Sequence, residues 1–287
     1  MKIALGTVQF GLDYGISNTK GQPSLEKISD ILDTASASGI ETLDTAAAYG
    51  NSEKILGAIG VGNFSVVSKI PPNQSNIQIT QSYIRKHLKQ SLEDLRLDRL
   101  YGYLFHRPLE LLSENGEALY KELMDLKYQG LINKIGVSIY GPEDLEQLAP
   151  YFDFDLVQAP MNIIDRRMLD SGWLAELSKK DVEIHIRSAF LQGLLFMSTD
   201  ERPDYFKPWS EIFDNFESWL QENNYSALEA TIGFLNGIDE VDKIVVGVDS
   251  MKQLSEIISI SQSKIYKVPD SFKSDELKLI NPALWEI

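Results

Sequence analysis

Cysteine is absent from this 287-residue chain, and histidine occurs only 3 times. The first absence excludes disulfides, thiolate catalysis and cysteine-ligated zinc or iron–sulfur centres, and the second argues against a histidine-rich metal site. Basic residues are also short: 27 Lys+Arg against 42 Asp+Glu leave a net charge of −15. Neutralising a phosphate backbone needs clustered Lys or Arg, and no such run occurs, so no nucleic-acid partner is expected. No stretch reaches the ~18 apolar residues of a membrane span, so no membrane partner is expected either. The apolar start Ile3-Ala4-Leu5 is too short for the ~7–15-residue core of a signal peptide. A cytoplasmic location is therefore the expectation.

What remains is enough to build a large core, with 43% hydrophobic residues against 24% charged ones. Length alone leaves one domain or two open, because single α/β barrels of ~250 residues are common. Eight short apolar runs read as strands: Ile3–Val8, Thr42–Asp44, Phe64–Lys69, Leu100–His106, Asn133–Ser138, Leu156–Pro160, Val182–Ser188 and Lys243–Val248. Several are apolar at consecutive positions, as in Val66-Val67 and Ile244-Val245-Val246, which fits parallel strands buried on both faces. Val182–Arg187 instead alternates, which suggests a half-exposed strand.

Helical patterns lie between the runs. Thr80–Leu97 carries Ile84, Leu88, Leu92 and Leu95 on one face, and Leu111–Tyr128 carries Leu112, Leu119, Leu123 and Leu126 before Gly130. Pro142-Glu143-Asp144 opens a short helix, and Ser250 caps another over Ser250–Ser261. Strands alternating with helices predict an α/β fold, a (β/α)₈ barrel spanning residues 1–287 as a single domain. A doubly wound sheet is the rival. Met197–Pro208 is polar, aromatic and irregular, the kind of loop that would sit at a barrel's C-terminal rim.

Reactive residues in a barrel belong at strand C-termini. Asp44 and Tyr49 follow the second strand, Lys69 ends the third, and His106 ends the fourth. Adjacent strands bring them to one mouth. Taken singly, each has an ordinary role: Asp44 a turn residue, Tyr49 a half-buried aromatic, Lys69 a solvated strand end, His106 a satisfied strand-end histidine.

Taken together they resemble a known family. Leu43-Asp44-Thr45-Ala46-Ala47-Ala48-Tyr49-Gly50-Asn51-Ser52-Glu53, then Val67-Ser68-Lys69, then Leu104-Phe105-His106-Arg107-Pro108 are similar in order and spacing to the aldo-keto reductases. The likeness runs from Leu5-Gly6-Thr7 to Gly247. It implies an enzyme that reduces an aldehyde or ketone with NAD(P)H and needs no metal. Tyr49 would donate the proton, Lys69 would lower its pKa from the ordinary ~10, and Asp44 would pair Lys69. His106 would hold the carbonyl oxygen.

The resemblance also implies a cofactor side. Ser138, Gln158 and Asn162 would bond the nicotinamide carboxamide, although Ile139 stands where the family has asparagine. Arg187 takes a place that many relatives give to an aromatic under the nicotinamide, and Ser188, Leu191 and Gly193 match the segment along the pyrophosphate. Relatives that prefer NADP(H) carry Lys and Arg where this chain has Gly247 and Gln253, with Asp249 and Glu256 close by. Family habit points to NADP(H), these residues lean toward weaker discrimination or NAD(H), and on balance NADP(H) is the expected cofactor. Tyr14 and residues of Met197–Trp209 are candidate substrate walls. The partner is a small-molecule carbonyl, and GTVQFGLDYGISN is similar to bacterial members linked with sugar metabolism, which suggests a sugar-derived one. Arg107, Arg166 and Arg167 could make the mouth locally basic. Two other readings stand beside this one: a cofactor-binding regulatory or scaffold protein on the same barrel, and a lyase forming a Schiff base on Lys69.

Overall fold

Parallel pairing of runs that are apolar on both faces needs helices to cover the sheet, and this chain supplies them between every pair of strands. The computed structural model describes residues 1–18, 21–72, 79–265 and 267–287. The strands are β1 (Ile3–Gly6), β2 (Thr42–Asp44), β3 (Ser65–Ile70), β4 (Leu100–Phe105), β5 (Ile132–Ser138), β6 (Leu156–Pro160), β7 (Glu183–Arg187) and β8 (Lys243–Gly247). They close in sequence order into a parallel barrel, with β1 paired to both β2 and β8. Closure excludes the doubly wound alternative. Among the described residues, no helix is long and apolar enough to cross a membrane.

The helices follow their patterns with local corrections. Gln81–Leu95 is capped by Thr80, whose hydroxyl accepts from Tyr83 N, and buries Ile84, Leu88 and Leu95. The stretch expected as one helix over Leu111–Tyr128 is divided: Pro108–Leu112 forms a 3-10 turn and the helix proper is Gly116–Tyr128. Ser113 Oγ donates to Glu110 O at 2.7 Å, a local bond that competes with helix continuation. Leu25–Ala37, Ser52–Ile59, Trp173–Lys179, Ser210–Asn223 and Ala227–Asn236 complete much of the outer layer.

Two expectations fail for instructive reasons. β7 alternates because it faces two different interiors, not because one face is wet. Ile184 and Ile186 join the core between sheet and helices. Glu183, on the same strand, meets His185 Nε2 at 2.6 Å, Tyr101 Oη at 2.6 Å and the Lys134 ammonium. Met197–Pro208, expected as an irregular loop, instead runs into a 3-10 turn over Asp204–Trp209 with buried aromatics. Phe206 is fully buried beside Phe213 and Trp285, and Trp209 Nε1 donates to Glu276 Oε2 at 2.9 Å. Burying those aromatics outweighs leaving them over an open mouth.

Inside the barrel, Val67, Leu104 and Leu156 form a separate apolar cluster. Side chains two residues further along a strand share its face. Lys69, His106 and Gln158 therefore stand one layer nearer the mouth than that floor.

Candidate active site

Asp44 ends β2, and Lys69 lies next to last in β3, paired one strand over. Lys69 is fully buried, and its ammonium donates to Asp44 Oδ1 at 2.8 Å, Asp44 Oδ2 at 2.7 Å and Thr45 O at 2.9 Å. A fourth contact reaches Tyr49 Oη at 3.4 Å. Burial alone would strip the proton from such a lysine, but the Asp44 carboxylate and then Tyr49 outweigh it, so its pKa lies above the ordinary value. Lys69 stays an ammonium. An amine that is protonated, buried and away from the cleft surface is poorly suited to form a Schiff base.

Tyr49 follows β2 in a turn where Tyr49 N donates to Ala46 O and Ser52 N to Tyr49 O. Its ring lies 6.0 Å from that of His106 in an edge-on arrangement, and Lys69 Nζ is 5.0 Å from its centroid. Here one expectation is corrected. Burial pushes the Tyr49 hydroxyl above its ordinary pKa, with Lys69 pulling the other way and losing. Asp44 opposes part of that pull. Tyr49 is thus a protonated donor in the free protein.

His106 follows directly on β4. Burial, reinforced by the fields of Lys69 and Arg187, lowers its pKa to about 3, so its imidazole is neutral. Its Nδ1 is buried with no hydrogen-bond partner among the described residues. A neutral imidazole carries a single N–H donor.

These side chains border a cleft of about 660 Å³, within the ~300–1,000 Å³ range of small-molecule sites. Asp44, Tyr49 and His106 line it, together with Ser138, Arg187, Ser188 and Gly193. Gly247, Asp249, Gln253, Glu256 and Asn281–Ala283 line it as well. Tyr14 lines the cleft, as do Phe190 and Phe196, whereas Met197–Trp209 does not.

Four residues expected at the site sit behind it. Lys69 works from beneath. Gln158 is fully buried, donating through Nε2 to Asp44 Oδ1 at 2.6 Å and accepting at Oε1 from Ser138 Oγ at 3.1 Å. Its amide braces the carboxylate and does not line the cleft. Asn162 accepts at Oδ1 from Ile164 N and Asp165 N and donates to Ser188 O, which is turn construction. Leu191 is buried, at φ 46°.

Arg187 lies over the Tyr140 ring, 5.1 Å from its centroid, and donates to Ile139 O at 2.9 Å. The residue that departs from the family pattern thus serves through its backbone. Arg107, Arg166 and Arg167 are absent from the cleft lining. Arg166 packs on Phe234 and Phe272 and donates to Pro269 O, and Arg167 pairs with Asp165 at 2.9 Å.

Several cleft residues carried no signal in the sequence. Gln9 lines the cleft against Gly247, where an added Cβ would lie 2.1 Å from Gln9 Nε2. Its Oε1 is buried without a partner among the described residues. Gly193, at φ +91°, packs so closely on Ser17 that a Cβ would lie 1.9 Å from Ser17 Oγ. Ser17 Oγ in turn donates to Gln192 O, and Gln192 Nε2 to Tyr14 Oη. Loops after β1 and β7 therefore meet at the cleft, and the bare backbone at Gly193 and Gly247 lets Ser17 and Gln9 pack close there. The cleft volume, with Gln9 Oε1 and His106 Nδ1 unpartnered among the described residues at its lining, fits a polar ligand such as a dinucleotide.

Comparison with known proteins places this geometry. The Aldo/keto reductase family model matches residues 2–271. Methylglyoxal reductase DkgA of Escherichia coli K12 is 30% identical over 155 residues, which cover 52% of this chain and 52% of that relative. The match to that relative thus spans about half its length. Aldo-keto reductase YhdN of Bacillus subtilis is 29% identical over 257 residues, covering 85% of this chain and 72% of its own. The holo form of aldo-keto reductase AKR11C1 from Bacillus halodurans superposes with a TM-score of 0.75 at 18% identity, covering 99% and 94% of the two chains. At that identity the likeness speaks to the fold alone.

Proposed function

The chain belongs to the aldo/keto reductase family, and from that premise we propose that it reduces a small aldehyde or ketone to the alcohol with NAD(P)H. The observation that carries the reading is the Lys69 ammonium, held by both oxygens of Asp44 and reaching the Tyr49 hydroxyl. A bound reduced nicotinamide supplies hydride to the carbonyl carbon. The residues do the rest. His106, neutral, holds the carbonyl oxygen through its N–H. As the C=O π pair moves onto oxygen, the Tyr49 O–H transfers its proton there, and the resulting phenolate is stabilised by Lys69. Asp44 keeps Lys69 charged, and Gln158 fixes Asp44.

Arg187, Ser188, Gly193, Gly247 and Gln253 are the lining residues proposed for the cofactor, with Ser138 nearest the Asp44–Gln158 pair. Gln158 and Asn162 support it indirectly. Tyr14 is proposed for the substrate side. The resemblance favours NADP(H), while Asp249 and Glu256 in the lining lean toward NAD(H). A purely regulatory cofactor binder would have no use for a buried lysine spending its charge on a cleft hydroxyl, so turnover is the favoured reading.

The test is product formation. Purified protein with NADH or NADPH and a panel including methylglyoxal, the compound for which the DkgA relative is named, should yield the alcohol. Consumption of neither cofactor with any aldehyde contradicts the proposal.

A further inference from the structure

Glu53 is buried, 6% exposed, in the first turn of the helix Ser52–Ile59, and the reaction described above makes no use of it. Neither Glu53 nor Ser68 lines the cleft. Burial pushes the Glu53 carboxyl above the ordinary carboxylate pKa, against the bond it accepts from Ser68 Oγ at 2.5 Å. An apolar side chain of similar size would cover the sheet at less cost. What the carboxyl adds is a directed bond to β3.

Successive residues of a strand point to opposite faces. Val67 belongs to the cluster inside the barrel, so Ser68 faces the outer helices and Lys69 the interior. Glu53 thus holds β3 from outside at the residue just before Lys69, while Asp44 holds Lys69 from inside. The start of the same helix is tied to the Tyr49 turn, because Ser52 N donates to Tyr49 O. Ser52 Oγ also donates to Thr7 O and Thr7 Oγ1, both at 2.9 Å. Ladder pairing fixes β3 to β2 and β4, but the turn that carries Tyr49 lies beyond the end of β2. Of the four Lys69 contacts, the one to Tyr49 Oη is the longest at 3.4 Å, so it is the first to be lost when turn and strand shift apart.

Resting on the reductase reading above, we infer that Glu53 is a positioning residue for the proton transfer: by bonding Ser68 it ties the Tyr49 turn to β3 and keeps the Lys69 ammonium within reach of the Tyr49 hydroxyl. Loss of that bond leaves the cleft lining in place. It weakens the support that Lys69 gives to the phenolate as the proton leaves Tyr49.

The test separates position from folding. The double variant Glu53→Met, Ser68→Ala removes both partners of the bond, so it should melt close to the wild-type temperature and keep the wild-type KM for a reducible aldehyde. Its kcat should fall by about 10- to 100-fold. The solvent deuterium isotope effect on kcat should exceed that of the wild type, because proton transfer has become slower. Ser68→Ala alone is the smallest change that breaks the bond, and should show the same fall with the same larger isotope effect. Glu53→Gln still offers a carbonyl oxygen to Ser68 and should keep kcat within about threefold. Wild-type kcat in either bond-breaking variant, or Glu53→Gln as slow as they are, overturns the inference. So does a fall in kcat that only follows the loss of folded protein, with the isotope effect unchanged. If the wild type reduces no aldehyde with NADH or NADPH, the reductase reading falls and this inference with it. If the wild type turns over and the variants match it, only this inference falls.

Discussion

The Lys69 ammonium is gripped by both carboxylate oxygens of Asp44, at 2.8 and 2.7 Å, with Lys69 fully buried. Charge so deep in a barrel persists only when paired and hydrogen-bonded, so the two residues stand or fall together.

Breaking the pair should therefore damage stability and activity separately. Asp44→Asn leaves an uncompensated buried charge, and should cost about 3–5 kcal/mol in urea unfolding. Lys69→Met should lower kcat by roughly 10²–10⁴. The double variant Asp44→Leu, Lys69→Met should recover most of the stability while remaining inactive. Recovery of activity together with stability would mean that the pair serves folding alone.

His106 gives a pH signature. Its folded pKa of about 3 lies below the ordinary 6.5, so between those values the unfolded chain binds a proton that the native protein refuses. Its contribution is full above about pH 6.5 and shrinks as pH falls toward 3. Thermal melts from pH 7.5 to 4.5 should show a steeper loss in the wild type than in His106→Phe. Parallel curves would contradict the neutral imidazole.

A second acid effect should come from the closed end of the barrel. Burial alone would raise the Glu183 pKa, but hydrogen bonds from His185, Lys134 and Tyr101 overturn this and hold it at about 2, below the ordinary 4.5. The stability it supplies is present above about pH 4.5 and lost as pH falls toward 2. Glu183→Gln should melt earlier than wild type at pH 7, with the gap narrowing below about pH 4.5 as pH falls toward 2, and kcat per folded molecule should be unchanged.

The two cleft glycines should respond differently. Gly193→Ala forces a side chain onto φ +91° and into Ser17 Oγ, so stability should fall by about 1–3 kcal/mol, and NADH should dissociate faster in stopped-flow measurements. At Gly247 the added Cβ meets only the far end of the Gln9 side chain. Gly247→Ala should melt near the wild-type temperature yet bind NADH more weakly.

Much of this was legible in the residues. All eight strands lie where the apolar runs put them, and Thr42–Asp44 and Leu156–Pro160 match at both ends. Asp44, Tyr49 and His106 meet at one cleft with Lys69 beneath because strand ends in a barrel converge. What stayed hidden were relations across the chain. Nothing near Gln158 reveals that its amide is committed to Asp44, 114 positions away. Similarly, β7 reads as half-exposed because periodicity cannot distinguish water from the polar end of a barrel interior. Met197–Trp209 is irregular, and its inward aromatics, Phe206 and Trp209, only declare themselves against Phe213, Trp285 and Glu276.

Tyr49→Phe provides the most direct test, because it removes one oxygen and leaves Asp44, Lys69 and the cleft in place. Turnover of a reducible aldehyde should fall by roughly 10²–10⁴, while the NADH dissociation constant stays within about twofold of wild type. A variant that keeps the wild-type kcat would show that the proton comes from elsewhere, and the assignment of Tyr49 as the acid would fail.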